Sequence, residues 1–497
     1  MNLLDNIISY FSPEWGVRRE AWRRYGEEVR SNYDAAGYGN GSINWRVWNQ
    51  SAEITDRYDR ETVRARTRDL ERNSDMLNAV ISAFKRNVFG IGYSLTPKTD
   101  DEDINKELLN AWKRWCKKQN CDVTGTQNFN QIMRMCVQRK KIDGGILILK
   151  RYTDQGFIPF QIQTVEVDEL DIAQILPKHE GNKVVGGIEY NRWNRPLGYW
   201  FRQYDIDGSQ LLNSVYVDAK DVIFYFTKRR PSQIREMSDL SPTVTRIRDA
   251  NEFMTAVSVK ERITACLAVF IKKTNPSNAP GRIKNTNSVR PSYDGKTIAP
   301  GMIRELDPND GVETVNPNGQ GTDATTYIKL MQHMIGAGQG LSYEATSRDM
   351  SETNYSSARQ GMIEDGLTYA DEKELLMEVM DEIYETFVIS CVLTGVISAP
   401  DFWKSKERYF AHRWTEAPKK WIDPAKEATA NRIALSTGQK TFKEISAENG
   451  RDWKEQMDEI LDVLEYAESR RLNMGGVLFG NEKLYGADPV PGDAERK

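Results

Sequence analysis

The 497 residues carry 68 Lys and Arg against 72 Asp and Glu, a net charge of −4, with 39% hydrophobic and 28% charged residues. The composition is globular, the length predicts about three domains or sub-domains, and the balance excludes an overall basic nucleic-acid binder. No apolar run approaches the roughly 20 residues that span a bilayer, and five cysteines argue against a disulfide framework and suit a reducing compartment. The N-terminal stretch lacks both a basic start and a small-residue cleavage site, so a cytoplasmic chain is expected.

In chain order, the first 72 residues mix Arg with aromatics: Arg18, Arg19, Arg23 and Arg24, then Trp45 and Trp48, then Arg57, Arg60, Arg64, Arg66 and Arg68. Such interleaving suits stacking on nucleic acid. The balancing Glu20, Glu27, Glu28, Asp56, Asp59, Glu61 and Asp69 favour a solvated helix surface or a subunit interface instead. Tyr33–Ser42 is a Gly-rich break that sets off an N-terminal arm. Ser74 is predicted to cap a helix with Leu77, Val80, Ile81, Phe84 and Val88 on one side, stopped by Gly90. A second amphipathic helix is predicted over Ile104–Cys121, with Trp112 and Trp115, and a third over Phe129–Arg139, broken at Asp143-Gly144-Gly145.

From Ile146 the period changes to β-branched and aromatic alternation, which predicts a mostly antiparallel β region over Gly145–Thr227. It ends in the basic loop Lys228-Arg229-Arg230-Pro231. A helix is predicted from Ser241 to Ile271, with Val244, Ile247, Phe253, Val257 and Ile263 buried, followed by a loop-rich stretch, Asn275–Pro317. Two apolar helix faces come next, one of Tyr327, Leu330, Met331, Met334 and Ile335, the other of Leu376, Val379, Met380, Ile383, Phe387 and Cys391. In the last part Asp423 and Pro424 open a helix, Thr441 and Glu444 form a capping box, and a final helix is expected over Asp452–Leu472 before a frayed tail.

Between the two apolar faces lies Leu341–Gly361, polar, small and rich in hydroxyls. A loop of that length, anchored at both ends by helices, is a functional candidate. Tyr355, Ser356, Ser357 and Arg359 could touch a phosphate backbone without reading bases. From residue types alone, a solvated interhelical loop with serine caps is the plainer reading.

Signals for catalysis are weak. Asp294-Gly295-Lys296-Thr297 ends like a phosphate-binding loop, but Arg290 stands where the first Gly is needed. Gly336-x-Gly338-x-Gly340 follows a helix rather than a strand, unlike a dinucleotide turn, and reads as a flexible helix end. His179, His333 and His412 are scattered, and Cys116 and Cys121 have no second pair at metal-like spacing. No catalytic residue, metal or cofactor is expected, and nothing selects a pair of carboxylates.

The ordered landmarks resemble the lambda-like family of tailed-bacteriophage portal proteins over about Tyr33 to Tyr466. They are Tyr33-Asp34-Ala35-Ala36, Val63–Leu70 ahead of Arg72-Asn73, Asn87–Gly92, Trp112 and Trp115 before Cys121-Asp122, and Arg230-Pro231-x-Gln233-x-Arg235. The most specific are Leu341-Ser342-Tyr343-Glu344 followed by Asn354–Arg359, and Asp423-Pro424-x-Lys426-Glu427 after Trp421. The family commonly has Gly where this chain has Ser232 and Glu236, and His333 and Gln339 are unusual around the glycine cluster.

The resemblance implies an α+β portal fold of clip, stem, wing and crown, assembled as a ring of twelve around a central channel at one capsid vertex of the virion. Its implied partners are double-stranded DNA, the terminase large subunit, capsid and scaffold proteins, and head-completion or tail adaptor proteins, with no membrane. On that basis residues 1–50 would be an arm, 51–144 helical wing, 145–235 the β-rich region including clip, and 236–272 the stem helix. Residues 273–400 would be wing with the tunnel loop and long helix, 401–472 crown helices, and 473–497 a tail. The tunnel loop would present Arg348, Asp349, Met350, Ser351, Thr353, Asn354, Tyr355, Ser356, Ser357 and Arg359 to the channel. Lys228, Arg229, Arg230 and Arg235 would form a basic loop next to the clip. Two readings stay open beside it: a nucleic-acid-processing enzyme with an unrecognised carboxylate site, and a scaffold that touches only proteins.

Overall fold

The computed structural model describes residues 13–15, 17–19, 22, 49–205, 207–210, 213–265, 269–273, 310–314, 323–351, 353–417 and 424–472. The Gly-rich break at 33–42, Arg23, Arg24, Trp45, Trp48, the stretch around Asp294–Thr297, Asp423 and the tail lie outside them. The chain divides into two units, Met1–Asp59 with Arg229–Ile234, and Arg60–Lys228 with Arg235–Lys497.

In the smaller unit a five-residue helix, Ala52–Asp56 (α1), starts beside the basic loop. The Ala52 amide donates to the Ser232 hydroxyl at 2.9 Å and the Arg230 guanidinium to the Gln50 carbonyl at 2.8 Å. Ser232 thus satisfies one of the amides that open α1.

The larger unit is α+β. Helices Arg60–Asn73 (α2) and Asp75–Phe84 (α3) are separated by Ser74, whose hydroxyl accepts the Leu77 amide as predicted. A π-helical turn, Lys85–Phe89, and Gly90 at φ 59° end this run. Strand Tyr93–Pro97 (β1) leads to Glu102–Trp115 (α4), the short Lys118–Cys121 (α5) and Phe129–Asp143 (α6). The predicted helix over Ile104–Cys121 is therefore broken at Cys116 and Lys117. Gly144, at φ 90°, ends α6 where a Cβ would lie 2.4 Å from the Met237 backbone.

The β region forms two antiparallel sheets. Phe160–Val165 (β3), Gly145–Tyr152 (β2) and Val222–Phe226 (β8) make one, in the order β3-β2-β8. Lys183–Val185 (β4), Ile188–Tyr190 (β5), Pro196–Phe201 (β6) and Val215–Asp218 (β7) make the other in sequential order. Strand β2 is buried at five successive positions, the mark of a strand covered on both faces. Ile146 and Ile148 join the main core, while Phe224, opposite Leu147 in register, meets Tyr199 of the second sheet edge to face.

Helix Val244–Ala265 (α7) ends before strand Val269–Lys273 (β9), which pairs with Asp310–Thr314 (β10). The helix predicted to run to Ile271 thus stops short, and the loop-rich stretch holds a strand. Of its expected buried positions Val244 and Ile247 are buried, Phe253 and Val257 half-buried. Helix Ala324–Gly338 (α8) follows, then Tyr343–Ser347 (α9) and the 39-residue Tyr355–Leu393 (α10). The C-terminal part comprises Lys406–Phe410 (α11), His412–Glu416 (β11), Pro424–Ser436 (α12), Phe442–Glu448 (α13) and Trp453–Ser469 (α14). The capping box at Thr441 and Glu444 is present as predicted. Strand β11 pairs antiparallel with β1, a union of residues more than 300 positions apart that local pattern does not reveal.

The core is aromatic. Trp115 is fully buried, stacks on Phe160 at 5.4 Å and donates its indole N–H to the Phe160 carbonyl at 2.8 Å. Trp112 packs edge-on against Phe129, Tyr384 and Phe387. Leu376, Met380, Ile383, Phe387 and Cys391 of α10 are all buried, as the periodicity predicted. The face on α8 is not: Ile335 is buried, but Leu330 and Met334 remain exposed.

Burial corrects the solvated-surface reading for part of the Arg-rich run. Arg60 and Arg64 are buried and Arg68 is half-buried, while Arg57, Arg66 and Arg72 stay in solvent. Arg64 pairs with Asp168 at 2.7 Å and Glu236 at 3.0 Å; Arg68 pairs with Asp143 at 2.6 Å and Asp168 at 2.7 Å. Arg60, Arg64 and Arg68 recur every four residues on one face of α2, and long-range carboxylates draw that face inward.

On β11, His412 gives a pH prediction. Burial of the ring opposes its charged form, but both nitrogens face acceptors, Asp381 at 2.9 Å and the Phe410 carbonyl at 2.6 Å, and the pKa is raised above 6.5. Asp381 also feels burial, yet its hydrogen bonds from His412 and Trp414 hold it below 3.8. Both shifts favour the ion pair in the fold. The His412 contribution is full below its unfolded pKa and lost as pH rises through the raised folded value. The Asp381 contribution is lost as pH falls through its depressed value. Between about pH 6 and about pH 8.5 the wild-type denaturation midpoint should fall relative to Asp381→Asn, whose profile should be flatter. Parallel profiles would place the proton elsewhere.

Candidate nucleic-acid interface

The stretch expected to be one long loop, Leu341–Gly361, is mostly helical. Ser342 caps α9 by accepting the Ala345 amide at 3.2 Å, and Asn354 caps α10 by accepting the Ser357 amide at 2.8 Å. Only Arg348–Asn354 links the two helices. Short polar side chains were predicted to make loop; as caps they start helices instead.

Each candidate residue has a definite place. Arg348 is exposed, at φ 60°, just past α9. Asp349 accepts the Ser351 amide at 3.0 Å and hydroxyl at 2.6 Å, bonds that hold its carboxyl below the usual range. Met350 and Ser351 are exposed. Thr353 donates to Glu344 at 2.9 Å, drawing the loop back onto α9. Tyr355 is the first residue of α10. Ser356, Ser357 and Arg359 are all exposed; Ser357 donates its hydroxyl to Asn354 at 2.8 Å, and Ser356 and Arg359 lie three residues apart on α10.

The loop is pinned from below. Asp365 on α10, buried, accepts the Ser342 amide at 2.6 Å and hydroxyl at 2.7 Å. Thr368 donates to the Gly340 carbonyl at 2.6 Å, and His333 stacks on Tyr343 at 4.4 Å. The glycine cluster is close-packed rather than flexible: a Cβ at Gly336 would lie 2.8 Å from the Leu341 carbonyl oxygen, and one at Gly338 2.8 Å from Thr243. Gln339 donates to the Asp239 carbonyl and the Thr243 hydroxyl, both at 3.3 Å. Asp365 and Thr368 were not singled out in the sequence, where they look like any solvated helix polar residue. Arg86 was also missed; burial and the nearby Arg348 charge lower its pKa.

The basic loop does not hold together as one feature. Lys228 belongs to the larger unit, and Arg229 and Arg230 to the smaller. Arg235 is buried in the larger unit, pairing with Glu236 at 2.7 Å and donating to the Gly186 and Val167 carbonyls at 2.6 and 3.2 Å. Its guanidinium works inside the fold.

A loop between two capped helices, with exposed Arg348 and Arg359 and a buried carboxylate beneath, can touch a polyanion without gripping it. Residues 39–372 match the family described as phage portal protein, lambda family. The chain belongs to the lambda family of phage portal proteins. The match spans the loop and the exposed half of α10. The chain is 23% identical over 410 residues to the probable portal protein of Halomonas phage phiHAP-1, covering 79% of this chain and 78% of that one. It is 19% identical to the portal protein of Escherichia phage N15, over 86% of this chain and 88% of the other. For portal protein B of Escherichia phage lambda the identity is also 19%, over 84% and 88%. Among solved structures, a chain of the virion of a native gene transfer agent particle aligns with a TM-score of 0.44 at 9% identity, over 82% of this chain and 95% of that one. This portal protein is thus a member of a structural family.

Proposed function

We propose that twelve copies of this portal protein form a ring at one capsid vertex, with the Arg348–Ser357 segment narrowing a channel through which double-stranded DNA enters and leaves. The ring would dock a terminase large subunit during packaging and head-completion or tail adaptor proteins afterwards, and would end in the virion. The observation that carries this reading is the division of α10. Its C-terminal half is core, while Met362, Ile363 and Leu367 in its N-terminal half are exposed, so the loop is borne on a rigid arm. A channel that lets DNA slide gains from few strong phosphate contacts, since each grip must be released. Two exposed arginines, Arg348 and Arg359, among hydroxyls and the carboxylates of Asp349 and Glu352 meet that need.

Arg348→Ala/Arg359→Ala is expected to leave ring assembly intact while altering packaged DNA length or retention, read as genome length in purified particles. A variant that cannot assemble would make the segment a subunit contact instead.

A further inference from the structure

Arg64, Lys140, Lys141 and Arg235, buried in the larger unit, meet carboxylates of the same chain. One cleft gathers exposed cations instead. It has a volume of about 1100 Å³ and is walled by β1 and α4 on one side and by α13 and the start of α14 on the other. Nine Lys or Arg line it against four Asp or Glu. Two of those four are engaged: Glu102 pairs with Lys454 at 2.6 Å, and Asp452 caps α14 by accepting the Lys454 amide at 2.8 Å. Glu455 and Asp458 remain on one wall. Lys98, Lys113, Lys117, Lys118, Arg413 and Lys443 are all exposed, and none forms an ion pair with any described residue. A cationic cleft in a chain of net charge −4 is a local arrangement, not a by-product of composition.

We propose that this cleft is a second phosphate-backbone contact of the portal, a groove that holds nucleic acid away from the Arg348–Asn354 loop. The proposal rests on the portal reading. Five of the six free cations are lysines, which serve as point charges on flexible stems and neutralise phosphates without the planar fork that reads a base or a carboxylate. Trp453, partly exposed on the wall, begins the 17-residue α14, whose N-terminal dipole adds to the positive field. A groove of this kind holds DNA in a salt-dependent manner, each neutralised phosphate adding about 0.9 to the slope of log affinity against log salt.

The test uses the full chain as assembled and a 30-base-pair fluorescent duplex (about three helical turns). Lysines are acetylated with and without duplex, and Lys98, Lys113, Lys117, Lys118 and Lys443 are read by mass spectrometry. The groove predicts that they are reactive in the free particle and protected by the duplex. It also predicts that Lys113→Glu/Lys117→Glu/Lys118→Glu lowers duplex affinity at least about tenfold and reduces the salt slope by about 2–3. Lysines already unreactive in the free particle would overturn the groove in favour of a neighbouring subunit. Protection by polyglutamate but not by duplex would overturn it in favour of an acidic protein partner. The labelling is on wild-type protein, so a variant that fails to fold leaves the test standing. Imaging the same sample separates the two readings: absence of rings counts against the ring, whereas rings with unprotected lysines count against the groove alone.

Discussion

Replacing Glu236 by alanine should lower folding stability by about 3–5 kcal/mol, read as a shift in denaturant midpoint. Glu236 is fully buried, and its two carboxylate oxygens face two buried guanidiniums, Arg64 at 3.0 Å and Arg235 at 2.7 and 2.9 Å. Its backbone carbonyl also accepts from Arg60 at 2.9 Å. Removing the carboxylate leaves cations in the interior with part of their compensation gone, which costs far more than a surface pair is worth. Arg64 keeps Asp168, and Arg235 keeps its two carbonyls, so the loss stops short of unfolding the chain. A loss under about 1 kcal/mol would mean that the site is open to water. Glu236 thereby closes an ionic cluster joining α2, the second sheet's loops and the lead into α7.

Glu372→Ala should have an effect of similar size, about 3 kcal/mol, through the other buried cluster. Lys140 is buried between Glu372 at 2.6 Å and Asp239 at 2.8 Å, and Lys141 shares both carboxylates while lying 3.9 Å from the centre of the Phe84 ring. This tetrad joins α6, the segment before α7 and α10 at the point where α10 leaves the core. Its loss should speed amide exchange in residues 356–371 more than in 376–391. Pairing it with Lys140→Met should recover part of the stability, because the buried charge is then removed rather than abandoned. Uniform exchange along α10 would show that the tetrad does not anchor the arm.

Much of the fold was legible in local pattern. Ser74, Gly144 and the Thr441 capping box act at one helix end each, so their residue types announce them. The core face of α10 was equally plain, because its apolar spacing persists for several turns. What stayed hidden is long-range. The pairing of β1 with β11 joins two five-residue strands more than 300 positions apart, a partnership that no local pattern specifies. Arg64 and Arg235 looked like surface cations because their partners, Asp168 and Glu236, are set by tertiary packing. At the candidate interface the Ser and Asn residues read as loop, yet the same residue types cap helices. That the exposed Ser357 hydroxyl is bonded to Asn354 is a matter of geometry and not of type.

The most direct measurement is the mass of the purified protein in solution, joined to negative-stain images of the same sample. The account predicts particles near twelve chains, seen end-on as rings with an open centre wide enough for duplex DNA. Particles of one or two chains under every assembly condition, or rings closed at the centre, would contradict it.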